Sequence, residues 1–177
     1  MTISALAKRF PKVAVSGRYA SVKLENVHVT IKRVRTDDDD FVCLINALSE
    51  MLAELNGEKN DYYAPLNTAS SLAVALVAYV ESVPVGCGGF RIMDDGAIEI
   101  KRMFVLSEQR GVGIGKALLS EIESIGREHG HSRIVLETSK RLPAATGLYQ
   151  ISGYTVIPNY GPYIGLDDSI CMEKILA

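Results

Sequence analysis

Charge of one sign, long apolar runs and cysteine are all scarce in this 177-residue chain, and each scarcity removes a class of function. With 19 Lys plus Arg against 21 Asp plus Glu the formal net charge is -2, so no general attraction to nucleic acid or to an anionic membrane is expected. The most apolar stretch, Leu72 to Val80, is about half of a bilayer span, and the start of the chain offers only Val13-Ala14-Val15 where a secretory signal needs about 7–15 apolar residues. Cys43, Cys87 and Cys171 lie far apart without a C-x-x-C pair, and an odd, dispersed set points to reduced thiols in a cytoplasmic setting. His28, His129 and His131 are equally scattered; with no metal-ligand spacing anywhere, no metal is expected.

The balanced charge hides an asymmetry. Residues 1–24 hold Lys8, Arg9, Lys12, Arg18 and Lys23 and no acid; setting these five aside leaves 14 basic and 21 acidic side chains, or -7. An acid-free basic start suits an organelle transit peptide and an ordinary bacterial leader segment alike. We assign residues 1–26 to a basic N-terminal extension and 27–177 to a single domain, for which the length is right.

Periodicity is plentiful. Val27 to Arg35 alternate apolar and polar residues and predict a strand. Asp37 to Asp40 follow, where short acidic side chains accept the unpaired N–H groups of a helix start. Phe41, Leu44, Ile45, Leu48, Met51, Leu52 and Leu55 recur at spacings of three and four, predicting an amphipathic helix over 38–56 that stops at Asn56-Gly57. Residues 57–71 read as a polar, turn-rich loop in which Tyr62 and Tyr63 are candidates to line a pocket. Leu72–Val80, Val85–Arg91 and Ala97–Val105 then predict an antiparallel meander. A second amphipathic helix over 112–130, a strand at Arg133–Thr138, a helix at Pro143–Gln150 and strands at Gly153–Ile157 and Ser169–Ile175 complete the order. The expectation is an α/β fold of the α+β type: a single mixed, largely antiparallel central sheet of six to seven strands flanked by helices.

Chemistry concentrates between Glu99 and Lys116, where a strand leads through a glycine-rich turn into a helix. Alternating glycines let the backbone approach a ligand closely, and the first N–H groups of the helix lack partners, a combination that binds phosphate. Spacing excludes two familiar nucleotide loops. A P-loop needs glycine at position 110 and a hydroxyl residue at 117, where the chain has Arg110 and Ala117; a dinucleotide fingerprint starting at Gly111 needs glycine at 116, where Lys116 stands.

Arg110, Gly113 and Gly115 do match R-x-x-G-x-G, and Ala145, Leu148, Tyr149, Gly153 and Tyr154 match A-x-x-L-Y-x-x-x-G-[FY]. With Met103-Phe104-Val105 ahead of the loop, the segment 97–154 resembles the GNAT superfamily of N-acetyltransferases, whose element order 27–176 follows. The resemblance implies acetyl-CoA as cosubstrate and direct attack of an amine on the thioester. It implies a pyrophosphate held by Arg110, Gly111, Val112, Gly113, Ile114, Gly115 and Lys116, and a thioester carbonyl met by the main chain of Phe104 and Val105. Tyr149 takes the position of the family's general acid. Glu99 lies where several members place a general base, and simple alternation puts Glu99, Lys101, Met103 and Val105 on one strand face; the competing reading of Glu99 is a salt-bridged strand residue. An alkyl amine with a pKa near 10.4 costs about 4.6 kcal/mol to deprotonate at pH 7, so a base or a water chain is required.

The expected acceptor is a primary amine of a small molecule, an amino acid derivative or a peptide. Protein lysine or N-terminal acetylation and a non-catalytic acetyl-CoA-binding regulatory module are the alternatives. Tyr160, Tyr163, Asp61, Asp167 and Asp168 are candidates to face the acceptor, and the acidic body suits a cationic amine. The closing strand Ser169–Ile175 is a candidate edge for a homodimer.

Overall fold

In the computed structural model of the protein, the described residues are 20–24 and 27–176. The remainder of the expected extension 1–26 lies outside them. Ala20–Leu24 forms β1 and pairs antiparallel with β2 (Val27–Val34), so the sheet begins inside the segment assigned to the extension. With β3 (Val74–Val80), β4 (Val83–Ile92), β5 (Ile98–Val105), β6 (Arg133–Ser139), β7 (Thr155–Ile157) and β8 (Ser169–Ile175), the sheet has eight strands among the described residues, in the order β1-β2-β3-β4-β5-β6-β8-β7. The added strand is five residues long and alternates apolar Ala20, Val22 and Leu24 with polar Ser21 and Lys23, a signal that sequence reasoning passed over.

All pairings are antiparallel except β5 with β6. The long crossover between those two strands is α3 (Ile114–Glu128), after α1 (Asp39–Asn56) and α2 (Asn60–Tyr63). α4 (Pro143–Ile151) follows β6. The closing strand Ser169–Ile175 is interior, between β6 and β7, which corrects its expected place at an edge; the short β7 occupies that position.

Asp38 caps α1 as the acidic run suggested, its carboxylate accepting from the N–H of Asp40 at 3.1 Å and of Phe41 at 3.2 Å. The helix ends at Gly57, whose positive φ of 54° an L side chain rarely adopts. α1 covers one face of the sheet, with Phe41, Leu44 and Leu48 against Ala75, Val77, Cys87 and Phe104. α3 covers the other, with Leu118, Ile122 and Ile125 against Ile98, Ile100, Ile134 and Leu136. Each of these aliphatic side chains contributes about 1.5–3 kcal/mol by burial. Residues 57–67, expected as loop, wind into three consecutive helical turns over the end of the β5–β6 junction.

Candidate active site

The site begins with a defect in β5. Register with β4 is regular from Ile92↔Ile98 to Gly89↔Lys101, then slips before resuming at Cys87↔Phe104. Arg102 sits in the slip at φ 60°, left-handed for a residue with a Cβ. Glycine on the opposing strand makes room: a Cβ added at Gly88 would come within 2.5 Å of Met103 Sδ. The extra residue reverses the side-chain alternation, so Met103 and Val105 pack with the α3 cluster while Phe104 joins the α1 cluster. This corrects the expectation that Glu99, Lys101, Met103 and Val105 share a face.

The bulge also parts β5 from β6. The two strands pair at Ile98↔Ile134, Glu99↔Val135 and Ile100↔Leu136 and then diverge. Leu106 donates its N–H to the Val85 carbonyl at 2.9 Å. Antiparallel alternation then turns the N–H of Phe104 toward β4 and that of Val105 away from it, into the gap. A cavity of about 110 Å³ fills the gap, lined among others by Lys101, Arg102, Met103, Glu137 and Tyr149.

The glycine loop lies beyond the end of β5. Gly111 and Gly113 adopt φ of 83° and 91°, and Gly113 starts α3 with no side chain capping it, so the N–H groups of the first turn are open to a ligand. Ile114 is buried in the core and can serve only through its main chain. Gly115 has a packing role as well: a Cβ there would stand 3.1 Å from Leu148 Cδ2 of α4. Arg110 is exposed, its Nε donating to the Val105 carbonyl at 2.9 Å; Val112 on the loop and Lys116 in the first turn of α3 are exposed as well.

Tyr149 is 5% exposed on α4, its ring edge-on to Tyr154 with centroids 5.7 Å apart. Burial, with the nearby Glu137 carboxylate, holds its pKa well above the usual tyrosine value. The hydroxyl therefore remains a hydrogen-bond donor at ordinary pH, and full release of its proton is harder than a reference phenol's.

Glu99 is 0% exposed and does not line the cavity. Arg91 binds its Oε2, Tyr160 donates to its Oε1 at 2.9 Å, and Lys101 Nζ lies 3.8 Å from the same oxygen. The carboxylate is thus held by cations and a phenol, outside the lining of the cavity. Sequence reasoning passed over a second carboxylate. Glu137, the first polar residue after Ile134-Val135-Leu136 in β6, follows the last β5–β6 pair and lines the cavity. Burial foremost raises its pKa, against the lowering effect of a hydrogen bond from Ser169 Oγ at 2.6 Å and of the Lys101 charge. Its place at the carboxyl end of a parallel strand was a usable signal, because ligands of such sheets gather there.

The other candidates divide. Tyr63 lines the cavity and shares a 3.3 Å hydrogen bond with Ser169 Oγ, whereas Tyr62 points outward and donates to the Pro162 carbonyl at 2.8 Å. Tyr163 is buried and accepts from Lys101 Nζ at 2.7 Å; with Tyr160 it belongs to the network around Glu99. Asn159 pins their turn by donating Nδ2 to the carbonyls of Tyr163 and Leu166, both at 3.1 Å. Asp168 lines the cavity paired with Lys59 at 2.6 Å and Arg141 at 3.2 Å, while Asp61 and Asp167 do not line it.

Comparison with known proteins agrees with this architecture. The model of the acetyltransferase (GNAT) family matches residues 44–154. The chain is 35% identical over 151 residues to "IAA acetyltransferase" of Azospirillum brasilense, covering 84% of this chain and 99% of that protein. It is 41% identical over 83 residues to N-acetyltransferase 8B of Homo sapiens, covering 44% of this chain and 37% of that one. Among solved structures, a candidate acyl-CoA N-acyltransferase of Klebsiella pneumoniae subsp. pneumoniae superposes with a TM-score of 0.71 at 27% identity, covering 84% of this chain and 98% of the other. An N-acetyltransferase of Thermoplasma acidophilum, crystallised with coenzyme A, shares the fold at a TM-score of 0.64 and 19% identity, covering 83% and 98%. The chain belongs to the GNAT acetyltransferase family and is an acyltransferase.

Proposed function

We propose that this enzyme moves the acetyl group of acetyl-CoA directly to the amine of a small molecule or amino acid derivative. The observation that carries the reading is the uncapped start of α3, set beside a gap in the sheet whose cavity Tyr149 lines. The relative named for IAA acetylation supports a small acceptor, as does the modest volume of the cavity, about 110 Å³.

In this reading the N–H groups of residues 113–116, with Arg110 and Lys116, hold the pyrophosphate against the positive end of α3. The Val105 N–H donates to the thioester oxygen as negative charge develops there; removing such a donor typically costs about 2.7–4 kcal/mol of transition-state stabilisation. The acceptor ammonium first gives a proton to Glu137, directly or through water; the neutral nitrogen then forms a bond to the acetyl carbon, the carbon–sulfur bond breaks, and the second proton on nitrogen leaves to solvent as the amide forms. A carboxyl whose pKa burial has raised is better matched to that task than one of ordinary strength. Tyr149 donates a hydrogen bond to the departing thiolate, which takes its proton from solvent. That role replaces full proton transfer, because burial has made the phenol a weaker acid. Glu99 acts as a positioning residue that keeps Lys101 and Tyr160 in place. The three cysteines are free, and the reading includes a reducing, cytoplasmic setting.

Release of CoA thiol, followed across a broad amine panel, tests the proposal. Amine-dependent release supports it, and a panel without one acetylated amine rejects it.

A further inference from the structure

We propose that the acceptor carries a carboxylate beside its amine and that Arg102 binds this carboxylate. The inference rests on the reading of the β5–β6 cavity as the acceptor site. Arg102 is a cation without a carboxylate: no ion pair among the described residues includes it. One terminal nitrogen donates to Ser49 Oγ at 2.8 Å, but Nε is sealed from solvent with no hydrogen-bond partner. The other cations around the cavity are matched. Lys101 stands 3.8 Å from Glu99, and Lys59 and Arg141 share Asp168. Arg102 is partly buried and lines both cavities, and a guanidinium there with no carboxylate partner offers a planar fork that suits a carboxylate.

A second cavity of about 70 Å³ adjoins Arg102, and its polar lining is Ser49, Asn60 and Asn67, with no acid. The main cavity shows the same bias. Its charged residues are Lys59, Lys101, Arg102 and Arg141 against Glu137 and Asp168, an excess of cations inside a body at -7. A bare cationic amine would therefore enter a positive lining, which overturns the match expected from overall charge. An amino acid-like zwitterion fits both ends, its carboxylate at Arg102 and its ammonium toward Glu137.

The test compares standard amino acids with their carboxamides in the CoA-release assay. For the best-used side chain, the acid should exceed its carboxamide in kcat/KM by at least about tenfold, the value of a charge-assisted hydrogen bond. Arg102→Gln should bring that ratio near one, mainly through KM, and Arg102→Lys should retain part of it. Equal use of acid and carboxamide by the native enzyme, or a ratio untouched by Arg102→Gln, overturns the proposal. Calorimetric titration with N-acetyl amino acids and their carboxamides, CoA present, gives a readout independent of turnover. If no amine is acetylated yet N-acetyl amino acids bind and Arg102→Gln abolishes the binding, the catalytic reading fails and the carboxylate site stands. If no carboxylate binds, the site fails. Should Arg102→Gln melt too low to assay, Arg102→Lys must lower the acid-to-amide preference or the proposal is rejected.

Discussion

Residues 110–116 would meet their proposed ligand with main-chain groups from consecutive positions, whereas the proposed acceptor cavity gathers side chains from as far apart as Leu48 and Asp168. The loop depends on backbone conformation: Gly111 and Gly113 hold positive φ, and the helix start behind them is uncapped. The cavity depends on burial and charge: Glu137, Lys101 and Arg102 are all displaced from their ordinary pKa values, and burial is the leading cause in each. Damage to the loop should therefore appear as lost donor affinity, and damage to the cavity as altered pH dependence and altered acceptor use.

The largest expected effect is in the loop. Gly113→Glu places a side chain at φ 91° and a negative charge at the helix's positive end, and acetyl-CoA binding should weaken at least about 100-fold by calorimetry. Retention of native affinity would remove the loop from the site. Tyr149→Phe should lower turnover by about 10–100-fold with acetyl-CoA binding preserved, the worth of a hydrogen bond to a charged sulfur; unchanged turnover with a good acceptor would end its assigned role.

The two carboxylates sharpen the contrast. In the native enzyme, kcat/KM should rise with pH along a limb centred above 4.5, where the raised Glu137 pKa lies. Glu137→Gln should abolish that limb and lower turnover by about 100-fold. A folded-state pKa above the unfolded one means stability present below 4.5 and lost as pH rises through the folded value. Glu137→Gln should therefore raise the Tm at pH 7, since the buried carboxylate no longer has to ionise. Glu99→Gln should do the reverse, keeping the acid limb but lowering stability by about 1–3 kcal/mol, because Arg91 and Lys101 lose their partner. Identical profiles for the two variants would show that the distinction between them is wrong. The smallest effect belongs to Gly111→Ala: nothing lies within 4 Å of the added Cβ, so only the left-handed conformation at φ 83° is penalised, by about 1–2 kcal/mol.

Elements held by local periodicity were readable in advance. The stripe from Phe41 to Leu55, the cap at Asp38 and the β-branched run at Arg133–Thr138 became α1, its start and β6. The conformation of loop 110–116 was readable for the same reason, since a glycine turn and an uncapped helix start reside in contiguous backbone. The bulge at Arg102 was not, because a one-residue slip leaves no mark on composition while reversing every side chain beyond it. Glu137 was missed because its significance comes from the parting of β5 and β6, a relation between strands separated by a whole helix.

Glycine spacing, helix periodicity and strand alternation, all properties of neighbouring residues, determined that this chain builds a mixed sheet with a glycine turn leading into an uncapped helix start. Which carboxylate is sealed and which faces the cavity, and which cation lacks a partner, depended on packing between distant elements. Desolvation and pairing act through space, so identical Glu side chains at 99 and 137 acquire opposite surroundings only once β5 and β6 part.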